Sequence, residues 1–181
     1  MVMADTPVPS RPFGYKYNSP PDRQVRLDVY EDLLCSDTKA DRPALMEFLA
    51  MEDRDGNVYG DKVEVYFHYF PLPYHHHAHI VTNALTYTFA VTGNHSTTIE
   101  FAEWVYDNQE TYQGEDSKLM NEFEVIDLLC SEAGGKFGWE APDCVTNLRD
   151  NRDIEMDTRY NWKFAAYNSV SGTPVVLVNG V

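Results

Sequence analysis

Apolar and polar positions alternate with a period of two from Val25 to Glu31, where Val25, Leu27 and Val29 are separated by Arg26, Asp28 and Tyr30. β-Forming residues occupy both faces, so the pattern predicts a strand. Leu33 and Leu34 lead into Cys35, and Ser36, Asp37 and Thr38 follow, residue types that favour helix N-termini. Ala44, Leu45, Phe48 and Leu49 then recur at helical spacing. Cys35 is therefore expected at the first turn of a helix, just past the C-terminal end of a strand. Pro43 lies inside that helix and should kink it. Val63, Val65, Phe67 and Tyr69 alternate with Glu64, Tyr66 and His68, which predicts a second strand. Strand, helix and strand in this order make a right-handed crossover with a parallel pair.

The pattern then turns helical for a long stretch. Helices are expected from Tyr74 to about Val91, closed by Gly93, and from Thr97 to Asn108. Another runs from Asn121 to Ala133, with Phe123, Ile126, Leu129 and Cys130 on one face and Gly134–Gly135 ending it. A short helix over Asp143–Asp150 and a longer one over Asp153–Asn168 complete the block, which spans about 74–168. Ser171–Gly172 breaks the last helix, and Val175–Val178 reads as a strand before an Asn179–Gly180 turn. Phe13–Tyr17 predicts a short edge strand. Residues 1–12 are expected to be a disordered or loosely attached lead, and 13–181 a single domain. A strand followed by Asn-Gly invites a hairpin partner, so a last strand and helix are expected to be missing from this sequence or supplied in another way.

Composition narrows the function classes. With 181 residues, 43% of them hydrophobic, the chain can bury the core of one domain. A formal charge of −15 disfavours duplex nucleic acid and anionic membrane faces as partners. The acidity fits a solvated surface and also a basic client. No apolar run is long enough to span a bilayer, and the first residues are not expected to be an intact signal peptide. The cysteines are Cys35, Cys130 and Cys144. In an oxidising compartment Cys130 and Cys144 could pair and leave Cys35 free; in a cytosol all three are thiols. The Asn94-His95-Ser96 sequon tips the location slightly toward the secretory pathway.

Cys35 carries the sharpest chemistry. The first N–H groups of a helix lack internal partners and sit at the positive end of its dipole, which stabilises a thiolate. Glu31, Asp32 and Asp37 oppose this by like charge. The competing reading is a small apolar residue buried under a strand–helix corner. His75, His76, His77 and His79 lie at a predicted helix start, with His75 and His79 four apart. That spacing can hold Zn²⁺ or Cu²⁺, but no Cys or carboxylate in the stretch completes a site, and no metal is expected. Asp53-Arg54-Asp55-Gly56-Asn57 has the composition of a turn, with its glycine too early for an EF-hand loop. Trp104, Trp139 and Trp162 are read as packing residues.

Four features in order carry a family resemblance: LDVYEDLLC, Pro43 eight residues after the cysteine, FPLPYHHHAH with a helical block after it, and SGTPVVLVNG. Together they resemble the α/β thioredoxin fold in its DsbA-like branch. The resemblance implies a cis Thr173–Pro174 peptide lying against Cys35, and a site formed by Cys35, Ser36, Asp37, Thr38, Thr173 and Pro174. The family's Cys-x-x-Cys motif reads Cys35-Ser36-Asp37-Thr38 here, so the resolving cysteine is replaced by threonine. The buried acid that some relatives carry six residues before the cysteine is replaced by Val29. A monothiol thiol–disulfide oxidoreductase is implied, with Cys35 attacking a polypeptide disulfide or a glutathione adduct and Thr38 donating a hydrogen bond to its sulfur. Thr173–Pro174 would then pair with an extended client. Two alternatives stay open. One is a redox-inactive binding or scaffold protein that keeps the groove; the other is a glutathione-transferase-like use of Ser36 or Cys35. No cofactor is expected, apart from glutathione in the reacting role.

Overall fold

A computed structural model describes residues 12–181. The lead predicted over 1–12 therefore lies, but for Pro12, outside the described residues. Four strands form one sheet: β1 (Tyr15–Lys16), β2 (Val25–Glu31), β3 (Val63–Tyr69) and β4 (Val175–Val178), in spatial order β1-β3-β2-β4. β2 and β3 run parallel with Val29 opposite Phe67, while β1 and β4 pair antiparallel at the two edges. The crossover helix α1 (Ser36–Ala50) joins the parallel pair, as the alternating and helical patterns require. Pro43 lies within α1 and the helix continues through it.

The helical block contains α2 (Ala78–Thr92), α3 (His95–Asp107), α4 (Gln109–Gln113), α5 (Glu122–Ala133), α6 (Ala141–Asp150) and α7 (Arg152–Tyr167). Asn94 caps α3 and Asn121 caps α5, the latter in a reciprocal box with Glu124. The acidic residues Asp153 and Glu155 fall in the first turn of α7, where the helix dipole favours them. Cys130 of α5 and Cys144 of α6 form a disulfide with Cα atoms 5.7 Å apart, and both are fully buried.

Apolar positions of β3 alternate with Glu64, Tyr66 and His68, and the whole strand is buried. α7 covers the second face: the His68 ring lies 5.4 Å from Phe164 and stacks on Tyr30 at 4.6 Å. His68 Nε2 meets the Asp28 carboxylate at 2.7 Å, and Arg26 braces the same carboxylate. The approach is close enough that Gly14, at φ +84°, has no room for a Cβ against the His68 ring. Trp162 is 40% exposed and packs by stacking on the buried Phe70.

Burial makes the Asp28–His68 pair an acid-sensitive element. Loss of hydration pushes the His68 pKa below the ordinary histidine value of 6.5, against the pull of Asp28. The unfolded chain therefore takes up this proton first as pH falls, so stability should be full above about pH 6.5 and decline below it. Burial lowers His79 in the same sense. Burial by itself would raise Asp28, but hydrogen bonds from His68 and Arg26 outweigh it and bring the carboxyl to about 2. Its contribution persists to lower pH and is lost only as pH falls from the ordinary 3.8 toward that value. Urea midpoints should drop between pH 7.5 and 5.5, and a midpoint that is flat or rises on acidification would contradict this.

Candidate functional site

The C-terminal ends of the parallel strands gather three loops on one rim of the sheet. The first is Asp32–Cys35, leaving β2. Cys35 is the N-cap of α1, in extended backbone, with no side-chain cap hydrogen bond. Its N–H donates to the Asp32 carbonyl at 3.0 Å and its carbonyl accepts from Lys39 N at 3.1 Å. Gln109 of α4 clamps the loop from the insertion: its Nε2 donates to both the Leu33 and Cys35 carbonyls at 3.0 Å. The Asp32 side chain is completely buried. It accepts from Leu34 N at 2.9 Å and Leu72 N at 3.0 Å. These backbone N–H groups satisfy a side chain that is cut off from water.

The second loop is Ser171–Pro174, leading into β4. The Thr173–Pro174 peptide is cis, and the Cys35 thiol donates to the Thr173 carbonyl at 3.4 Å. The sulfur and the prolyl segment, 138 positions apart in sequence, are thus in contact. Thr38 is fully buried, yet its hydroxyl makes no hydrogen bond, and neither does the buried hydroxyl of Thr173. The expected bond from Thr38 to the Cys35 sulfur is not formed; the contact shown for the thiol is its donation to the Thr173 carbonyl. Ser36 and Asp37 are exposed on the first turn of α1.

The third loop, Pro71–His77, was expected to be helical from Tyr74. It forms turns instead, with His75 N bonded to the Leu72 carbonyl and Ala78 N to the His75 carbonyl. Two side-chain bonds hold it out of helix. His75 Nδ1 meets the Asp32 carboxylate at 2.5 Å, and His77 Nε2 meets the Ser117 carbonyl at 2.9 Å. The histidines are thereby separated onto different partners. His79 faces a shallow groove of about 320 Å³ that is also lined by Pro71, Leu72, Pro73, Arg159, Trp162 and Lys163.

The like-charge opposition expected around the thiol is largely compensated. Glu31 receives Arg42 Nη1 on both oxygens at 2.7 Å and the Tyr106 hydroxyl at 3.1 Å. Burial pushes the Glu31 pKa up, and the guanidinium works against that. Arg42 reaches Glu103 of α3 through Nε at 2.6 Å and lies 4.0 Å over the Phe67 ring. Val29, at the position of the relatives' buried acid, sits in the apolar core.

No family model matches the sequence, and no curated protein does. Solved structures resemble the fold closely. A candidate protein-disulfide isomerase from Pseudomonas syringae matches with a TM-score of 0.69, over 90% of this chain and 86% of that one, at 14% identity. Alpha-DsbA1 of Wolbachia pipientis gives 0.61 over 95% and 76%, also at 14% identity. The chain has the DsbA-like thioredoxin fold. MdbA, a thiol-disulfide oxidoreductase from Corynebacterium diphtheriae, gives 0.58 over 91% and 79% at 13% identity. Identities this low establish the fold of the DsbA-like chain and leave its activity to be argued from the site.

Of the residues that sequence reasoning missed as site components, Gln109 and Asp32 matter most. Gln109 lies in a short helix with no sequence signal. Asp32 was visible only as a charge near the thiol, since nothing in its neighbours announces a carboxylate that holds two loops together.

Proposed function

We propose that this protein is a thiol–disulfide oxidoreductase that works through the single thiol of Cys35. The observation that carries the reading is the Cys35 sulfur at the start of α1, in contact with the Thr173 carbonyl beside a cis prolyl bond. The similarity of fold to MdbA, named as a thiol-disulfide oxidoreductase, points the same way.

The reaction follows from the cysteine inventory. Cys130 and Cys144 are bonded to each other in the insertion, and Cys35 is the one free thiol among the described residues. The Cys35 thiolate attacks a client disulfide, forming a mixed disulfide and releasing one client thiol. With no resolving cysteine, an external thiol such as glutathione then attacks that mixed disulfide and frees Cys35. Exposed Ser36 and Asp37 line the approach, and the backbone at Thr173–Pro174 pairs with the client as an added strand. The Cys130–Cys144 disulfide fits an oxidising compartment.

Turnover of a glutathione–peptide mixed disulfide in the presence of free glutathione tests this reading. A rate above the uncatalysed exchange supports it. Burial of Cys35, 5% exposed, favours a second reading, a redox-inactive peptide-binding protein that uses the same groove. Saturable peptide binding with no turnover would select that one.

A further inference from the structure

We infer that Asn94 is a site of N-linked glycosylation, its side-chain amide taking an oligosaccharide from a lipid diphosphate carrier. Asn94-His95-Ser96 is the only Asn-x-Ser/Thr triplet in the chain, and its middle residue is not proline, which bars transfer. The inference is independent of the chemistry assigned to Cys35.

The fold presents this triplet in the form that a glycosylated product needs. Gly93, at φ +61°, closes α2, and Asn94 is the N-cap of α3. Asn94 and Ser96 are exposed, while the residue between them is half-buried. His95 is held inward: its Nδ1 accepts from Lys16 N of β1 at 3.1 Å, and its ring packs 4.8 Å from Phe89. The acceptor amide and the serine hydroxyl are thereby both left on the outside. The two ends of the Asn94 carboxamide are also divided between roles. Oδ1 accepts from Ser96 N at 2.8 Å and from Thr97 N at 3.3 Å, whereas Nδ2 has no hydrogen-bond partner among the described residues. A carboxamide is planar, so its nitrogen points away from the helix end that its oxygen faces. A sugar on Nδ2 therefore leaves the cap intact. There is room beside it, since a Cβ built on Gly93 would meet no atom within 4 Å. A bulky, hydrated chain needs such a surface turn. The Cys130–Cys144 disulfide is an independent observation in the same direction. Disulfides persist in the oxidising lumen that secreted chains cross, where acceptor triplets are used.

The step balances with the carrier-linked oligosaccharide as its one co-reactant. Asn94 Nδ2 attacks C1 of the first sugar, so an N–C bond forms and the C1–O bond to the diphosphate breaks. The electron pair leaves with the lipid diphosphate, and the amide gives up one of its two protons to the transferase. Nothing is oxidised or reduced. α2 is 15 residues long, so Asn94 lies about 20 Å along it from the Pro71–His77 loop at the thiol rim. A glycan there leaves the approach to Cys35 open.

The test is peptide mass spectrometry of the protein isolated from the cells that make it, before and after peptide N-glycosidase in ¹⁸O-labelled water. Wild type should give a glycopeptide over Asn94, which the enzyme converts to an aspartate carrying the label, and a gel shift that the enzyme removes. Ser96→Ala, expressed in the same cells, should lose that shift completely, because transfer needs the hydroxyl of the third residue. Its cap survives, since the cap uses the backbone N–H of residue 96, so the loss does not report misfolding. Ser96→Thr should keep the shift. An Asn94 peptide at its bare sequence mass in the native protein would overturn the inference, and so would a shift that persists in Ser96→Ala. Either result leaves the Cys35 reading standing, because glutathione exchange is measured on its own.

Discussion

Cys35→Ser should bring the exchange of a glutathione–peptide mixed disulfide down to the uncatalysed background, a loss on the order of a thousandfold or more. A serine hydroxyl is not a nucleophile toward a disulfide without a strong base, and no other thiol can take over. Cys130 and Cys144 are fully buried and bonded to each other. The change is nearly isosteric, and the hydrogen bond shown for the side chain, to the Thr173 carbonyl, is of a kind a hydroxyl can also donate. The thermal midpoint should therefore stay within a few degrees of wild type, so that lost turnover reports chemistry and not unfolding. A Cys35→Ser protein that retains catalysed exchange would place the reaction elsewhere.

The largest expected effect on stability belongs to Arg42. It lies two turns along the helix that starts at Cys35, is 4% exposed, and meets a Glu31 that is 2% exposed. Its guanidinium also meets Glu103 of α3, so one side chain ties α1 to β2 and to the insertion. Arg42→Met should strand the Glu31 charge in the core and cost about 3–5 kcal/mol. For a chain of this size that corresponds to a fall in midpoint of about 10 °C. Glu31→Leu combined with Arg42→Met should recover much of the loss, because a buried ion pair exchanged for apolar groups of similar volume is often neutral. Thermal unfolding of the single and double variants checks this. A single variant as stable as wild type would mean that the pair does not hold α1 down.

The period-two and period-3.6 patterns contained most of the fold. Val25–Glu31 and Val63–Tyr69 were readable as strands because β-formers alternate there, and α5 because apolar residues recur at helical spacing before Gly134–Gly135. Tertiary contacts decided the exceptions. Tyr74–His77 has helical composition, yet Asp32 and the Ser117 carbonyl draw two of its histidines into turns. Glu64 and His68 sit between the apolar positions of a strand, yet Arg23 closes on Glu64 and Phe164 of α7 packs on His68. At the site, Cys35 was legible because a cysteine before a helix is a local signal, and Thr173–Pro174 only through the family resemblance that its segment carries. Gln109, Asp32 and Arg42 were not, since each acts over tens of residues through a hydrogen bond that no local pattern encodes.

The most direct test of the account is the site of glutathione attachment after mild oxidation of the folded protein with glutathione disulfide, read by peptide mass spectrometry. A single adduct on Cys35 that dithiothreitol removes, with Cys130 and Cys144 still joined, is the predicted result. A folded protein that takes up no glutathione at Cys35, or takes it up only at Cys130 or Cys144, would contradict it.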